Sequence, residues 1–242
     1  MIKPLLPKQH GAWAMLLVPF WLGVAASAFR LGHVLLFVGW FFLYVASYAG
    51  LMLAKGKRTK TYAGWTAVYA ALAALCLVFP IMEQPRLLWF GVSVVPLFAL
   101  SLYYSAQNRD RALANDMSAI LVFSLAGAAS YFYGTGRVDG QAGFVVLVSF
   151  LFFLGSTLYV KTMIREKNSR TYRNASWGYH VLLVLVWLLL GKWWVGLAFV
   201  PSLFRAVAFY GRKLSILQVG VYEIGNAAAF FIIALLVVLQ QA

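Results

Sequence analysis

Two short basic segments are the parts of this chain best suited to bind an anion. They follow the second and the sixth hydrophobic stretches, and the cations suited to binding are Lys57, Arg58, Lys161, Arg165 and Arg170. Guanidinium and ammonium groups hold phosphate or carboxylate through charge-assisted hydrogen bonds, and so can replace metal ions. The alternative is the ordinary excess of cations in loops on one side of a membrane. Lys161 favours binding, because it is predicted within one helical turn of the membrane boundary.

Glu223 is the most unusual single residue, because it lies well inside the apolar stretch from 214 to 240. At 1.5 Å per residue it is roughly 15 Å from the preceding basic loop, near the middle of a bilayer. A carboxylate there costs roughly 3 kcal/mol and needs a partner in the protein interior. We predict Arg205 of the preceding antiparallel span as that partner, with Asn226 on the same helix face. Tight packing and a role as proton relay or substrate contact are both open.

Three further polar residues have structural interpretations beside functional ones. His10 lies where the chain enters the first hydrophobic stretch, and His180 lies just inside the seventh. Either could contact a head group or a bound anion, although a single interfacial histidine is more often structural. Asp116 is predicted to cap the N-terminus of a helix, with Arg109 and Arg111 as local ion-pair partners. None of these spacings is typical of a metal or haem site, so we predict no metal and no cofactor.

The elements that must position these residues are about nine hydrophobic stretches, each near the roughly 20 residues of a transmembrane helix. Their approximate limits are 11 to 28, 31 to 54, 61 to 82, 87 to 106, 117 to 134, 141 to 163, 174 to 190, 193 to 210 and 214 to 240. Cations concentrate before the first stretch and after the second, fourth, sixth and eighth. The positive-inside rule then predicts a cytoplasmic N-terminus and, for an odd number of spans, a C-terminus outside.

The segment between Ser176 and Gly211 allows two interpretations. A break at residues 191–194, which read GKWW, is typical of a tight hairpin at an aromatic membrane interface and gives nine spans. One long tilted helix would give eight spans and would place Arg212 and Lys213 outside. We favour the hairpin.

Composition excludes a soluble domain, because 63% of the residues are hydrophobic and only 11% are charged. We predict one integral membrane domain over residues 1–242. The net charge of +14 suits anionic lipid head groups, at roughly 1 kcal/mol per cation, and nucleic acid is not an expected partner. Small residues at 26–28 resemble a signal-peptide cleavage site, but the charge pattern favours a retained first helix. Cys76 is the single cysteine, so no intrachain disulfide is expected.

Several separate motifs occur in one order along the chain: KQHGAWAM at 8–15, NRDRALAND at 108–116, YVKTMIREK at 159–167, the pair Tyr179 and His180, and GVYEIGN at 220–226. Together they resemble the YwiC-like family of bacterial membrane proteins over essentially the whole length. The resemblance implies a multi-pass protein of the bacterial inner membrane, and it implies no activity.

Three other features are Pro19 with Gly23 in the first stretch, the segment 102–134, and KTMIREKNSR at 161–170. They resemble, more faintly, the UbiA superfamily of intramembrane prenyltransferases, which have nine spans and a cytoplasmic N-terminus. Those enzymes hold magnesium against a prenyl diphosphate with aspartate motifs after spans two and six. Here the acidic positions of the second motif hold Thr162, Arg165 and Ser169, and the first loop, residues 55–60, has no acid. The resemblance therefore implies the architecture without magnesium-dependent prenyl transfer.

We predict an all-helical transmembrane bundle of UbiA-like architecture, with a central cavity that opens to the cytoplasm. Three classes of function are open. We favour a scaffold that binds or acts on an anionic amphiphile, such as an isoprenoid or a phospholipid. A small-solute or proton-linked transporter is suggested by Glu223 and Asn226. The third class is an accessory protein that docks a partner through its basic loops.

The alternation of cations predicts on which side of the membrane the C-terminus lies. A reporter enzyme fused after Ala242 should be active only on the periplasmic side, because nine spans return the chain to the side opposite the N-terminus. Activity in the cytoplasm would remove one span, in the region from 174 to 210, and with it the nine-span prediction.

Overall fold

The computed structural model describes residues 4–7, 10–56 and 59–240. Within these ranges the chain forms nine α-helices and no strand, which confirms the all-helical prediction. In chain order the helices are α1 His10–Ala25, α2 Gly32–Ala54, α3 Thr59–Glu83, α4 Leu87–Ala106, α5 Leu113–Thr135, α6 Gly140–Ile164, α7 Arg170–Leu189, α8 Trp193–Ala208 and α9 Ile216–Leu239. One helix lies on each of the predicted hydrophobic stretches.

Six of these helices are long and apolar enough to cross a membrane: α2, α3, α4, α5, α6 and α9. Helices α1 and α8 are apolar but have only 16 residues each. Helix α7 has 20 residues, and polar side chains occupy much of its first half. The chain is therefore a multi-pass membrane protein in which α1 and α8 are shorter than the other six helices and α7 is less apolar.

The chain forms two compact units. The first consists of Met1–Gln9 and Pro19–Val146, and the second of His10–Val18 and Leu147–Ala242. Helices α1 and α6 therefore contribute one part to each unit. The single domain over residues 1–242 stays a prediction.

Close packing in the first unit depends on two glycines. A Cβ atom at Gly23 would overlap the carbonyl oxygen of Gly127, and one at Gly127 would overlap the carbonyl oxygen of Pro19. Glycine thus lets the backbones of α1 and α5 approach each other, as is common where helices pack in a membrane. Ser130 Oγ donates a hydrogen bond of 2.7 Å to the carbonyl oxygen of Phe20 across the same contact.

Asp116 is not a helix cap, so that prediction is wrong. Helix α5 begins three residues earlier, at Leu113, and Asp116 lies in its first turn. The earlier start is supported by Asn115, whose side-chain amide donates a hydrogen bond of 2.7 Å to the carbonyl oxygen of Asp110. A carboxylate in the first turn is still favoured by the partial positive charge at the helix N-terminus.

Asp110 joins two loops of the first unit. Its carboxylate accepts hydrogen bonds from Lys55 Nζ at 2.6 Å and from Ser105 Oγ at 2.9 Å. Burial favours a higher pKa for Asp110, but the hydrogen bonds and the charge of Lys55 outweigh it and hold the pKa below its ordinary value. Asp110, in the loop between α4 and α5, is thus the acidic partner of the first basic loop, which contains no acid of its own.

A tight hairpin joins α7 to α8 in the second unit. Gly191 adopts a positive φ of 69°, which glycine reaches without steric cost. The amide of Lys192 donates to the carbonyl oxygen of Trp187 at 2.9 Å, and the amide of Gly191 to that of Leu188 at 3.0 Å. These bonds satisfy the last carbonyl groups of α7 in the manner of a glycine C-cap. The hairpin is confirmed and the single long helix of the alternative is wrong, while the number of spans stays a prediction.

Candidate functional site

Four helices of the second unit each place two polar residues on one buried face. We call these eight residues the polar layer: Ser156 and Tyr159 of α6, Ser176 and His180 of α7, Ser202 and Arg205 of α8, and Glu223 and Asn226 of α9. The members of each pair are three or four residues apart, so they project from the same side of their helix. All eight are buried.

The predicted pair of Arg205 and Glu223 is present. Arg205 Nη1 donates to one carboxylate oxygen of Glu223, and Ser156 Oγ donates to the other. Ser215 and Gln218 form a capping box that starts α9 at Ile216, which sets Glu223 about two turns into the helix. Three helices thus meet at one carboxylate, which is the compensation that a charge inside a membrane requires.

Arg205 is only partly satisfied by the protein. The residue is 4% exposed, yet its Nε and Nη2 have no hydrogen-bond partner among the described residues. The guanidinium carbon lies 4.1 Å from the centroid of the Tyr159 ring, a cation–π contact, and the hydroxyl of Tyr159 is also without a partner. A buried donor with no acceptor costs about 1–3 kcal/mol. The free edge of the guanidinium is therefore suited to bind oxygen atoms of a ligand.

His180 places a hydrogen-bond acceptor in the polar layer. Its Nδ1 lies 2.7 Å from the carbonyl oxygen of Ser176. Because a carbonyl can only accept, Nδ1 carries the hydrogen and Nε2 is the acceptor of a neutral ring. Within the part of the chain that the structure describes, neither Nε2 nor the hydroxyl of Ser176 has a hydrogen-bond partner. A Cβ at Gly155 would come within 3.0 Å of Nε2, so glycine at this position of α6 leaves the room for the ring.

Ser202 and Asn226 satisfy each other. Asn226 Nδ2 donates to Ser202 Oγ at 3.0 Å, and Ser202 Oγ lies 3.3 Å from Asn226 Oδ1. This pair joins α8 to α9 one helical turn from the ion pair. Asn226 is therefore held by its own partner, unlike Arg205, Tyr159 and Ser176, whose unpaired donors lie in the same layer.

The predicted basic residues are only partly described. Lys161 lies in the last turn of α6, two residues after Tyr159, and is 7% exposed. Arg165, in the loop after α6, and Arg170, the first residue of α7, are exposed. Lys57, Arg58 and the side chain of His10 lie outside the described residues, and Asp116 belongs to the first unit. An anion site built from both basic loops stays a prediction.

Sequence reasoning missed the polar layer except for Arg205, Glu223, Asn226 and His180. The missed residues are Ser156, Tyr159, Ser176 and Ser202. Their signal is the recurrence of two polar residues one helical turn apart in four consecutive helices. Among the described residues, no three His, Cys, Asp or Glu side chains come together as metal ligands, and the metal-free site stays a prediction.

The fold and the polar layer define a class: a multi-pass helical membrane protein with an ion pair buried among its helices. The family model described as "YwiC-like protein" matches residues 6–131. "Uncharacterized protein YwiC" of Bacillus subtilis (strain 168) is 44% identical over 229 residues, which cover 95% of this chain and 96% of that protein. A Haemophilus influenzae (strain ATCC 51907 / DSM 11121 / KW20 / Rd) protein is 37% identical over 98% of this chain and all of its own. No solved structure matches. The chain belongs to the YwiC-like family.

The ion pair predicts strong coupling between two substitutions. Glu223→Gln or Arg205→Gln alone should lower the free energy of unfolding by about 3–5 kcal/mol, because each leaves a buried charge alone. The double variant should lose much less than the sum of the two losses. Thermal unfolding in detergent measures all three variants.

The exposed pair of Arg137 and Asp139, whose nitrogen and oxygen atoms lie 2.9 Å apart, serves as the control. It should show a coupling of at most about 1 kcal/mol, because water screens it. Additive losses for Arg205 and Glu223 would contradict an energetic pair.

Proposed function

We propose that this chain is a bacterial inner-membrane protein that binds the anionic head group of an amphiphile, an isoprenoid or a phospholipid, at Arg205. One observation carries the proposal: two guanidinium nitrogens of Arg205 are buried and find no acceptor among the residues that the structure describes. A planar guanidinium matches the oxygens of a phosphate or a carboxylate through two parallel hydrogen bonds. The hydroxyl of Tyr159 adds a further donor beside them.

The depth of the polar layer favours an amphiphile. Arg205 lies in the last turn of α8, and Tyr159 lies five residues before the end of α6. The head group would therefore lie close to the helix ends, where an amphiphile places its polar part, and its tail would extend along the apolar helices. Only the head group needs protein partners, because lipid hydrocarbon already surrounds the helices.

The cations around these helix ends would attract an anion. The loops after α6 and α8 carry Arg165, Lys167, Arg212 and Lys213, and α7 begins with Arg170. Positive potential at the opening of a site raises the local concentration of anions and their rate of binding. By the positive-inside rule these loops face the cytoplasm, so the N-terminus is cytoplasmic, the C-terminus is outside, and the site opens to the cytoplasm.

A guanidinium takes over the task that magnesium performs in UbiA enzymes. The proposed architecture is UbiA-like, but the head group is hydrogen-bonded by Arg205 instead of being held by a metal ion, and the nearby cations attract it. Binding therefore needs no divalent ion, and the chain does not carry out magnesium-dependent prenyl transfer.

A second candidate function is proton-linked transport of a small anion. The observation in its favour is Glu223, a carboxylate that is buried in a membrane helix and held by Arg205 and Ser156. The two functions differ in the ligand, because a transporter of this kind would bind free phosphate as well as a phosphate-headed lipid.

Binding of dihexanoyl phosphatidylglycerol, a short-chain amphiphile with one phosphodiester charge, tests the proposal. In detergent with EDTA, the lipid at a concentration 100-fold above Kd should stabilise the protein by about 2.7 kcal/mol, seen as a rise in Tm. The double variant Arg205→Gln with Glu223→Gln should lose this rise, because it removes the donors without leaving a buried charge alone. Arg170→Gln, which removes one exposed cation, should retain most of it.

Two further ligands identify the class of ligand. Dihexanoylglycerol, which lacks the phosphate, should give no rise in Tm. Inorganic phosphate should give none for an amphiphile site, and an equal rise for a small-anion transporter. An unchanged rise in the double variant, or its loss in EDTA, would overturn the proposal.

A further inference from the structure

The polar layer is electrically balanced before any ligand binds. Arg205 carries one positive charge and Glu223 one negative charge, in direct contact. The other six members carry no charge when the His180 ring is neutral, with its hydrogen on Nδ1 facing the carbonyl oxygen of Ser176. Lys161, two residues after Tyr159, has interactions of its own. An anion that binds at Arg205 therefore adds a negative charge that nothing else in the layer compensates.

The added charge would lie close to Glu223. Both anions would be hydrogen-bonded to one guanidinium, which holds them a few ångströms apart. Two acidic groups that share a site in low dielectric do not both stay ionised, and one of them takes up a proton. A phosphodiester is a strong acid, so the carboxylate of Glu223 is the group that becomes protonated.

The surroundings of Glu223 can accept this proton. Ser156 Oγ now donates to the carboxylate, and a hydroxyl can rotate to accept a hydrogen bond instead. Arg205 Nη1 can continue to donate to the other oxygen. Each oxygen of the protonated carboxyl group therefore keeps a hydrogen-bond partner.

The other titratable groups near the pair are poorer acceptors of a proton. Protonated His180 would place a second cation beside Arg205. Tyr159 of α6 and Tyr222 of α9 cannot take up a proton, because a neutral tyrosine hydroxyl already carries its hydrogen. Tyr222, next to Glu223 in sequence, is also exposed. Glu223 is thus the group whose protonation relieves repulsion without creating any.

We propose that an anionic head group and a proton bind together, the head group at Arg205 and the proton at Glu223. The proton comes from the acid form of the buffer in the solvent, whose bond to that hydrogen is broken and which is left as its conjugate base. The only covalent bond formed is the carboxyl O–H, and the layer gains no net charge. This inference rests on the proposed function, because it presupposes an anion at Arg205. It gives the site a dependence on pH that the basic loops alone would not give.

Isothermal titration calorimetry of dihexanoyl phosphatidylglycerol tests the coupling. The heat of binding, measured at one pH in buffers of different ionisation enthalpy, gives the number of protons taken up. The lipid itself does not titrate near neutral pH, so any proton is taken up by the protein. We expect one proton per lipid and, where that proton is taken up, an affinity that falls roughly tenfold for each unit of rising pH.

Two variants identify the residue that takes up the proton. Glu223→Gln should bind the lipid with no proton uptake and no fall in affinity with pH. His180→Gln should still take up one proton. Uptake that is lost in His180→Gln or kept in Glu223→Gln would overturn the assignment, and the wild-type measurement decides the coupling even if Glu223→Gln fails to fold.

The outcomes separate the two proposals. Lipid binding by the wild type without proton uptake overturns the coupling and leaves the proposed function standing. No binding of the lipid by the wild type overturns both.

Discussion

The ion pair of Arg205 and Glu223 is the constraint on which the second unit depends. A charge in the membrane interior is tolerated only when other protein groups compensate it, and here the groups come from several helices. Arg205 of α8 and Ser156 of α6 satisfy the carboxylate of α9, and Tyr159 covers the guanidinium. Helices α6, α8 and α9 must therefore keep one register, and the Ser202–Asn226 pair supports it one turn away.

The first unit is held together by close helix packing and by hydrogen bonds between helices. Its helices approach closely at Gly23 and Gly127, and its side chains hydrogen-bond to backbone carbonyl groups. His33 Nε2 lies 3.0 Å from the carbonyl oxygen of Ser130, which joins α2 to α5. Hydrogen bonds of this type hold helices together where water is absent. The ion pairs described above for this unit, Lys55 with Asp110 and Arg137 with Asp139, belong to the loops at the helix ends, where water reaches them.

Much of this arrangement follows from the sequence, because a run of about 20 apolar residues is enough to identify a membrane helix. The hydrophobic stretches were predictable from their length, and the hairpin from the glycine at position 191. The pairing of Arg205 with Glu223 was predictable from the depth of Glu223 in the membrane. Asp116 was misassigned because a helix can begin before its apolar stretch begins, as α5 does at Leu113. The partner of Lys55 was not predictable, because Asp110 is distant in sequence and only the fold brings their loops together.

The most direct measurement is a structure of the protein extracted with its native lipids in polymer nanodiscs, at a resolution that shows head groups. We expect the oxygens of a phosphate or carboxylate group about 2.7–2.9 Å from Nε and Nη2 of Arg205. Water alone at these two nitrogens, or a protein carbonyl group in their place, would contradict a binding site at Arg205.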